Sequence, residues 1–127
     1  MQSILLVEDS KFLRVATERT LSRAGYQVAT ASDGEEALRM AIKLVPDVVL
    51  LDMLLPKLAG LEVLQELKHN PATANVPIIV LSSLSDKNEA KLKSDGAAAY
   101  FEKSKLDAKH GSQALLDTIK ETLAKSR

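Results

Sequence analysis

Two short runs of this sequence, Val48–Leu51 and Ile78–Leu81, are apolar at every position. A strand with one face in water alternates polar and apolar residues, whereas a strand buried on both faces needs no polar position. Strands of the second kind belong to parallel sheets that are covered by helices on both sides. The two runs therefore favour an α/β fold built on a central parallel sheet.

Short apolar runs alternate with segments of helical period along the whole chain, which is typical of successive βα units. The predicted strands are Ile4–Val7, Gln27–Ala31, Val48–Leu51, Ile78–Leu81 and Ala98–Phe101. The predicted helices are about Lys11–Ala24, Glu35–Val45, a third marked by Leu61, Leu64 and Leu67, Lys87–Ser94, and Gln113–Lys125. Ser10 caps the first helix in this prediction, and Asp33 or Ser32 caps the second. Five such units predict a doubly wound sheet of five parallel strands, which binds ligands beyond the carboxyl ends of its strands.

The composition excludes several classes of protein. With 127 residues, the chain is expected to form a single domain, residues 1–127. Seventeen basic and seventeen acidic residues cancel, so no net charge attracts nucleic acid or anionic lipid. The absence of cysteine excludes disulfides, thiolate metal sites and catalytic thiols. No run has the length of a signal-peptide core or a membrane span, and a cytoplasmic protein is expected.

Reactive side chains lie just past four of the five predicted strands. They are Glu8 and Asp9, Asp52, Ser82, and Lys103. Because the carboxyl ends of parallel strands share one edge of the sheet, these side chains are expected to converge in one crevice. Like charges about 4 Å apart repel by about 4 kcal/mol at an effective dielectric near 20, so three acids together favour a bound cation. Carboxylate oxygens are ligands that Mg²⁺ prefers, and the sequence therefore predicts a Mg²⁺ site.

Asp52 is the candidate nucleophile of this crevice. Its carboxylate could attack phosphorus and hold the phosphoryl group as a mixed anhydride, while the metal neutralises charge on the transferring oxygens. The hydroxyl of Ser82 could donate to a phosphoryl oxygen, and the ammonium of Lys103 could pair with it. Each residue also has a structural interpretation, since acids and serines after strands often cap helices and single lysines are usually solvated. The residues alone leave both interpretations open.

The chain resembles a response regulator receiver domain of the chemotaxis single-domain type. The matching stretches are Leu6-Val7-Glu8-Asp9, Asp52 with Pro56 and Gly60, Pro77–Ser82, and Gly96-Ala97 followed by Tyr100 and Lys103. The resemblance covers essentially all 127 residues. It implies a flavodoxin-like (βα)5 fold with strand order 2-1-3-4-5 and a role in two-component, or phosphorelay, signal transduction.

The resemblance also implies roles for the residues of the crevice. Asp52 would accept a phosphoryl group from the phosphohistidine of a histidine kinase or phosphotransfer protein. Mg²⁺ would be held by Asp9, Asp52 and the backbone carbonyl of Leu54, with Glu8 acting through water. Lys103 would complete the site. The chain would then be a phosphoacceptor switch rather than an enzyme, active only in its own phosphorylation and dephosphorylation.

The same resemblance implies how phosphorylation is read. The hydroxyl of Ser82 would turn towards the phosphoryl group, and the ring of Tyr100 would rotate inwards. A downstream protein would recognise the surface of the fourth helix, fifth strand and fifth helix. The polar segment Lys87–Ser94 fits a mobile output face, although a polar solvated helix is the plainer interpretation. Protein contact is the expected output, with a transient homodimer in the phosphorylated form and no direct contact with nucleic acid or membrane.

The sequence departs from the family pattern at three positions. Ser104 follows the lysine where the family usually has proline in a cis peptide, and a non-proline cis bond costs about 2.5–4 kcal/mol. The Lys103–Ser104 bond is thus either cis, with this energetic cost, or trans. Leu54 and Leu84 stand where related receivers often have polar residues that influence hydrolysis. Two leucines are expected to shield the phosphoaspartate from water and prolong its lifetime.

Three other functions compete with the phosphoacceptor switch. An aspartate-nucleophile phosphatase would need a second aspartate two residues after Asp52, and that position is Leu54. A flavodoxin-like electron carrier would need a phosphate-binding loop after the first strand, where Glu8 and Asp9 would repel a flavin phosphate. A pseudo-receiver, or a receiver cut from a larger protein, could instead bind partners without phosphorylation.

Overall fold

The fold is an open sheet of five parallel strands, as a computed structural model describes it for residues 2–53, 55, 57–82, 93–103 and 111–125. The strands are β1 (Ser3–Val7), β2 (Gln27–Ala31), β3 (Val48–Asp52), β4 (Ile78–Ser82) and β5 (Ala99–Glu102). All four strand pairs are parallel, in the spatial order β2-β1-β3-β4-β5. This confirms both the predicted α/β class and the predicted order.

Four helices connect or follow these strands in the described part of the chain. They are α1 (Lys11–Arg23), α2 (Gly34–Leu44), α3 (Gly60–His69) and the C-terminal α4 (Gly111–Lys125), which corresponds to the fifth predicted helix. The predicted fourth helix, Lys87–Ser94, lies outside the described residues except for its last two positions. Within the described ranges, no helix has both the length and the apolar character to span a membrane.

The helix starts follow the capping chemistry of the sequence. Ser10 Oγ accepts a hydrogen bond from the Leu13 amide at 3.4 Å and caps α1. A reciprocal capping box starts α2, because Asp33 Oδ1 accepts from the Glu36 amide at 2.8 Å and Glu36 Oε1 accepts from the Ser32 amide at 2.7 Å. The cap of α2 is thus Asp33, one of the two residues predicted.

The sheet separates two hydrophobic layers. Alternate strand residues point to opposite faces, so Leu5 and Val7 pack towards α2 and α3, whereas Ile4 and Leu6 pack towards α1 and α4. Every residue of β3 and β4 is buried. Burial on both faces is therefore confirmed for the two runs that are apolar throughout, and it extends to the polar residue at the end of each.

Val45 is strained, and we expect Val45→Gly to stabilise the protein. It caps the C-terminus of α2 with a φ of 44°, in the left-handed region that costs a residue with a Cβ about 1–2 kcal/mol. Glycine loses about 0.5–1 kcal/mol to backbone entropy, so the net gain in the free energy of unfolding should be about 0.5–1 kcal/mol. Urea unfolding measures the change.

Leu44→Gly is the matched control for Val45→Gly. Leu44 is half-exposed like Val45 but ends the regular part of α2, so its replacement by glycine should lower stability by up to about 1 kcal/mol. A loss of stability in both variants would show that the left-handed conformation of Val45 carries no cost.

Candidate functional site

The register of the sheet brings the reactive residues to one edge. Asp52 is the last residue of β3 and lies opposite Leu81 of β4, while Ser82 ends β4 opposite Glu102 of β5. Glu8 directly follows β1, and its amide donates to the Ala31 carbonyl of β2 at 3.0 Å. The carboxyl ends of four adjacent strands therefore surround one crevice, as the doubly wound topology requires.

Three carboxylates meet in this crevice. Glu8, Asp9 and Asp52 each place one oxygen within 4.8 Å of the others. Glu8 and Asp52 are only 3% and 2% exposed, whereas Asp9 lies at the exposed mouth. Oxygen donors at this spacing fit a hard divalent cation such as Mg²⁺, and buried like charges this close require a compensating positive charge. The donor set thus fits a magnesium ion.

Lys103 supplies positive charge to the same cluster. Its Nζ lies 2.8 Å from Glu8 Oε1 and 3.1 Å from Asp52 Oδ2, so the ammonium bridges the two buried carboxylates. Burial alone lowers the pKa of Lys103, but the hydrogen bonds and charges of Glu8 and Asp52 outweigh it, and the pKa rises above the ordinary 10.5. Because the folded pKa of Lys103 exceeds the unfolded one, alkaline pH removes this contribution to stability only above pH 10.5, as the pH rises through the folded pKa.

The second oxygen of Glu8 is also occupied. Glu8 Oε2 accepts a hydrogen bond from the Ser10 amide at 3.1 Å. Since Oε1 faces Lys103, both carboxylate oxygens of Glu8 already have donors. With both oxygens already hydrogen-bonded within the protein, Glu8 is suited to contact a metal through water.

Ser82 and Tyr100 lie on the β4–β5 side of the crevice. Ser82 is 1% exposed at the carboxyl end of β4, next to the strand that carries Asp52. Tyr100 is half-buried in β5, pairs in register with Val80, and packs against the hydrophobic layer that faces α2 and α3. A buried serine thus ends the strand next to the one that carries Asp52, and an aromatic residue lies on the strand beyond it.

Sequence reasoning missed Arg14. Its Nη1 donates to the backbone carbonyls of Glu8 at 2.9 Å and Asp9 at 3.3 Å, and so fixes the turn that carries both acids. The signal was present, because an arginine in the first turn of a helix can reach back to the loop before it. That position is ambiguous from sequence alone, since most such arginines point to solvent.

Several predicted site residues lie outside the described part of the chain. They are Leu54 with its carbonyl, Pro56, Leu84 and Ser104. The predicted carbonyl ligand, the leucine shield and the Lys103–Ser104 peptide bond therefore remain predictions. The acids, Ser82, Tyr100 and Lys103 all lie within the described residues.

Known proteins share both the sequence pattern and the fold. The chain is 40% identical over 114 residues to the gliding motility regulatory protein of Myxococcus xanthus, covering 88% of this chain and 14% of that protein. It is 38% identical over 103 residues to the alkaline phosphatase synthesis transcriptional regulatory protein PhoP of Bacillus subtilis, covering 80% of this chain and 42% of the relative. The chain thus spans less than half the length of either relative.

A solved structure extends the likeness to nearly the whole chain. The chemotaxis protein CheY4 of Vibrio cholerae superposes with a TM-score of 0.85 at 30% identity, covering 96% of this chain and 98% of that one. Residues 4–115 match the response regulator receiver domain, a span that includes all five strands except Ser3 and every site residue from Glu8 to Lys103. The chain belongs to the response regulator receiver domain family of two-component systems.

Proposed function

We propose that the chain is a phosphoacceptor switch in which Asp52 takes a phosphoryl group from a phosphohistidine of a partner protein. The observation that carries this proposal is the buried Asp52 carboxylate, which lies among Glu8, Asp9 and the Lys103 ammonium at one sheet edge. A buried carboxylate with an adjacent cation can act as a nucleophile whose product charge is already compensated. The function follows from this constellation rather than from the fold, which hosts many activities.

The transfer replaces one bond to phosphorus by another. An Asp52 carboxylate oxygen attacks phosphorus, the phosphorus–nitrogen bond of the phosphohistidine breaks, and the imidazole keeps the bonding electron pair and takes up a proton. Lys103, now 3.1 Å from Asp52 Oδ2, would pair with a phosphoryl oxygen. Hydrolysis of the resulting anhydride by water would restore the carboxylate and release phosphate.

Asp9, Asp52 and the carbonyl of Leu54 would hold Mg²⁺, and Glu8 would contact it through water. When bound, the ion would neutralise charge on the phosphoryl oxygens. Glu8 supports this division of roles because both of its carboxylate oxygens have donors within the protein. Asp9 supports it because its carboxylate lies at the exposed mouth of the cluster, where a hydrated ion can enter.

The switch would run from Ser82 to Tyr100. The Ser82 hydroxyl would donate to a phosphoryl oxygen on Asp52, and the Tyr100 ring would move inwards as the end of β4 shifts. This would change the β5–α4 surface together with the segment before β5, and so bias the chain between two states. A downstream protein would recognise the phosphorylated state, with a transient homodimer as one form of that contact.

The phosphodonor protein would dock beside the acidic cluster on α1. Phe12 is 81% exposed, and α1 starts two residues after Asp9. Lys11 and Arg19 are also exposed on this helix. An exposed aromatic ring with cations beside it suits an acidic, partly apolar helical surface on the donor. Residues 1–127 would form one receiver domain, acting by protein contact in the cytoplasm.

Acetyl phosphate, a small phosphodonor, tests the proposal without the partner. Incubation of the protein with acetyl phosphate and Mg²⁺ should add one phosphoryl group, measured by intact mass. Asp52→Asn should add none, because it lacks the nucleophilic carboxylate. Asp117→Asn, which changes an exposed carboxylate on α4, should add one like the original protein. A chain that gains no phosphoryl group would leave only a protein-binding pseudo-receiver, and a gain in Asp52→Asn would mean that another residue is the phosphoacceptor.

A further inference from the structure

We propose that the N-terminus of α2, Asp33 and Gly34, is a seat that supports the loop after β3 and so holds Asp52 in position. Gly34 is the positioning residue of this seat. Gly34 is the first residue of α2 and is buried. A Cβ at Gly34 would lie 2.6 Å from Leu58 Cβ and would collide with the Leu58 carbonyl oxygen. Such a contact is possible only because glycine has no side chain. The backbone of Leu58, in the connection between β3 and α3, thus packs directly against α2.

An ion pair joins the same two segments. Lys57 Nζ lies 3.4 Å from Oδ2 of Asp33, the residue that caps α2. Lys57 itself has a φ of 68°, a left-handed conformation that non-glycine residues adopt rarely. The backbone turns sharply at Lys57, and this turn delivers Leu58 to Gly34. Lys57 and Leu58 therefore contact the cap and the first residue of α2, respectively.

The seat is connected to Asp52 through the start of α3. A Cβ at Gly60 would lie 2.5 Å from the Asp52 carbonyl oxygen and 2.6 Å from Met53 Cα. The Gly60 amide also donates to the Met53 carbonyl at 3.1 Å. Gly60 follows Leu58 by two residues, so a displacement of Leu58 would be transmitted to the backbone of Asp52. The capping box supports the seat, because its two hydrogen bonds tie down the first turn of α2.

The inference rests on the proposed function, since it assigns the seat to the alignment of Asp52 with Asp9 for binding Mg²⁺. Gly34→Ala should push Leu58 outwards and weaken Mg²⁺ binding at least fivefold. Calorimetric titration of the full chain with MgCl2 alone measures the dissociation constant, at a temperature where circular dichroism shows each variant to be folded.

Gly25→Ala separates positioning from loss of stability. Gly25 has a φ of 98° and nothing within 4 Å of a Cβ, so alanine strains the backbone there without touching the site. This control should lower the melting temperature and leave the dissociation constant for Mg²⁺ within twofold of the original. An equal weakening in Gly25→Ala and Gly34→Ala, or an unchanged constant in Gly34→Ala, would overturn the inference.

A second pair of variants tests the seat from the side of the loop, in case Gly34→Ala does not fold. Lys57→Val disfavours the left-handed conformation, whereas Lys57→Asn tolerates it, and both remove the ion pair. The inference expects weaker Mg²⁺ binding in Lys57→Val than in Lys57→Asn, and equal binding in the two would overturn it. If the original protein binds no Mg²⁺, the proposed function fails with it; if it binds and the variants match it, only the seat is wrong.

Discussion

Lys103→Met should lower the free energy of unfolding of the metal-free protein by about 3 kcal/mol. The substitution keeps a long flexible side chain but removes the ammonium that bridges Glu8 and Asp52 at 2.8 and 3.1 Å. The side chains of both acids are 3% exposed, so water cannot replace the lost contacts. Removing one partner from a buried ion pair leaves an uncompensated charge. The resulting loss of stability is larger than the net stabilisation that the intact pair provided.

The measurement is urea unfolding at neutral pH with a chelator present. Lys57→Met is the matched control. The Lys57 side chain is 60% exposed, and the substitution removes its ion pair with Asp33. Exposed pairs are worth about 0–1 kcal/mol, so the control should change little. Adding Mg²⁺ should narrow the deficit of Lys103→Met, since the ion brings positive charge to the same carboxylates. If both variants lost equally little, the Lys103 bridge would contribute nothing to the fold.

The sheet was predictable because its signal is local. Unbroken apolarity marked β3 and β4, and helical spacing with capping residues marked the helices between strands. The predicted β3 and β4 stopped one residue early, because Asp52 and Ser82 are polar and were assigned to the loops. Both continue their strands as buried residues. At such a position the polar side chain predicts the end of the strand, whereas the functional site places a buried polar residue within the strand.

The convergence of the acids was also predictable, because topology alone brings the ends of parallel strands together. The details of their surroundings were not. The contact of Arg14 with the Glu8 carbonyl was ambiguous because an arginine at this position can also point to solvent, and Gly34 matters only because Leu58 comes from a distant loop. The sequence around a glycine in the first turn of a helix does not indicate which backbone segment will pack against it. Such contacts depend on tertiary packing, which pattern reasoning does not contain.

Asp52→Asn should be more stable than the original protein without Mg²⁺ and less stable than the original protein with Mg²⁺. Without metal, three carboxylates face one ammonium. Removing the charge of Asp52 relieves repulsion, yet the Lys103–Glu8 pair at 2.8 Å is kept and the asparagine oxygen can still accept from Lys103. The metal-free variant should therefore be more stable than the original, by about 1–2 kcal/mol, since functional sites commonly sacrifice stability.

With Mg²⁺ the order should reverse. A ligand that binds only the folded state at 100 times its dissociation constant stabilises that state by about 2.7 kcal/mol. The original protein should gain this amount, whereas Asp52→Asn lacks one of the carboxylates proposed to hold the ion and should gain little. Melting temperatures with a chelator and with saturating Mg²⁺ measure the two stability differences. The control is Asp117→Asn, which changes an exposed residue of α4 and should melt like the original protein in both conditions. Parallel behaviour of Asp52→Asn and the original in both conditions would mean that Asp52 neither crowds its neighbours nor holds the ion, because a carboxylate that does either must alter one of the two differences.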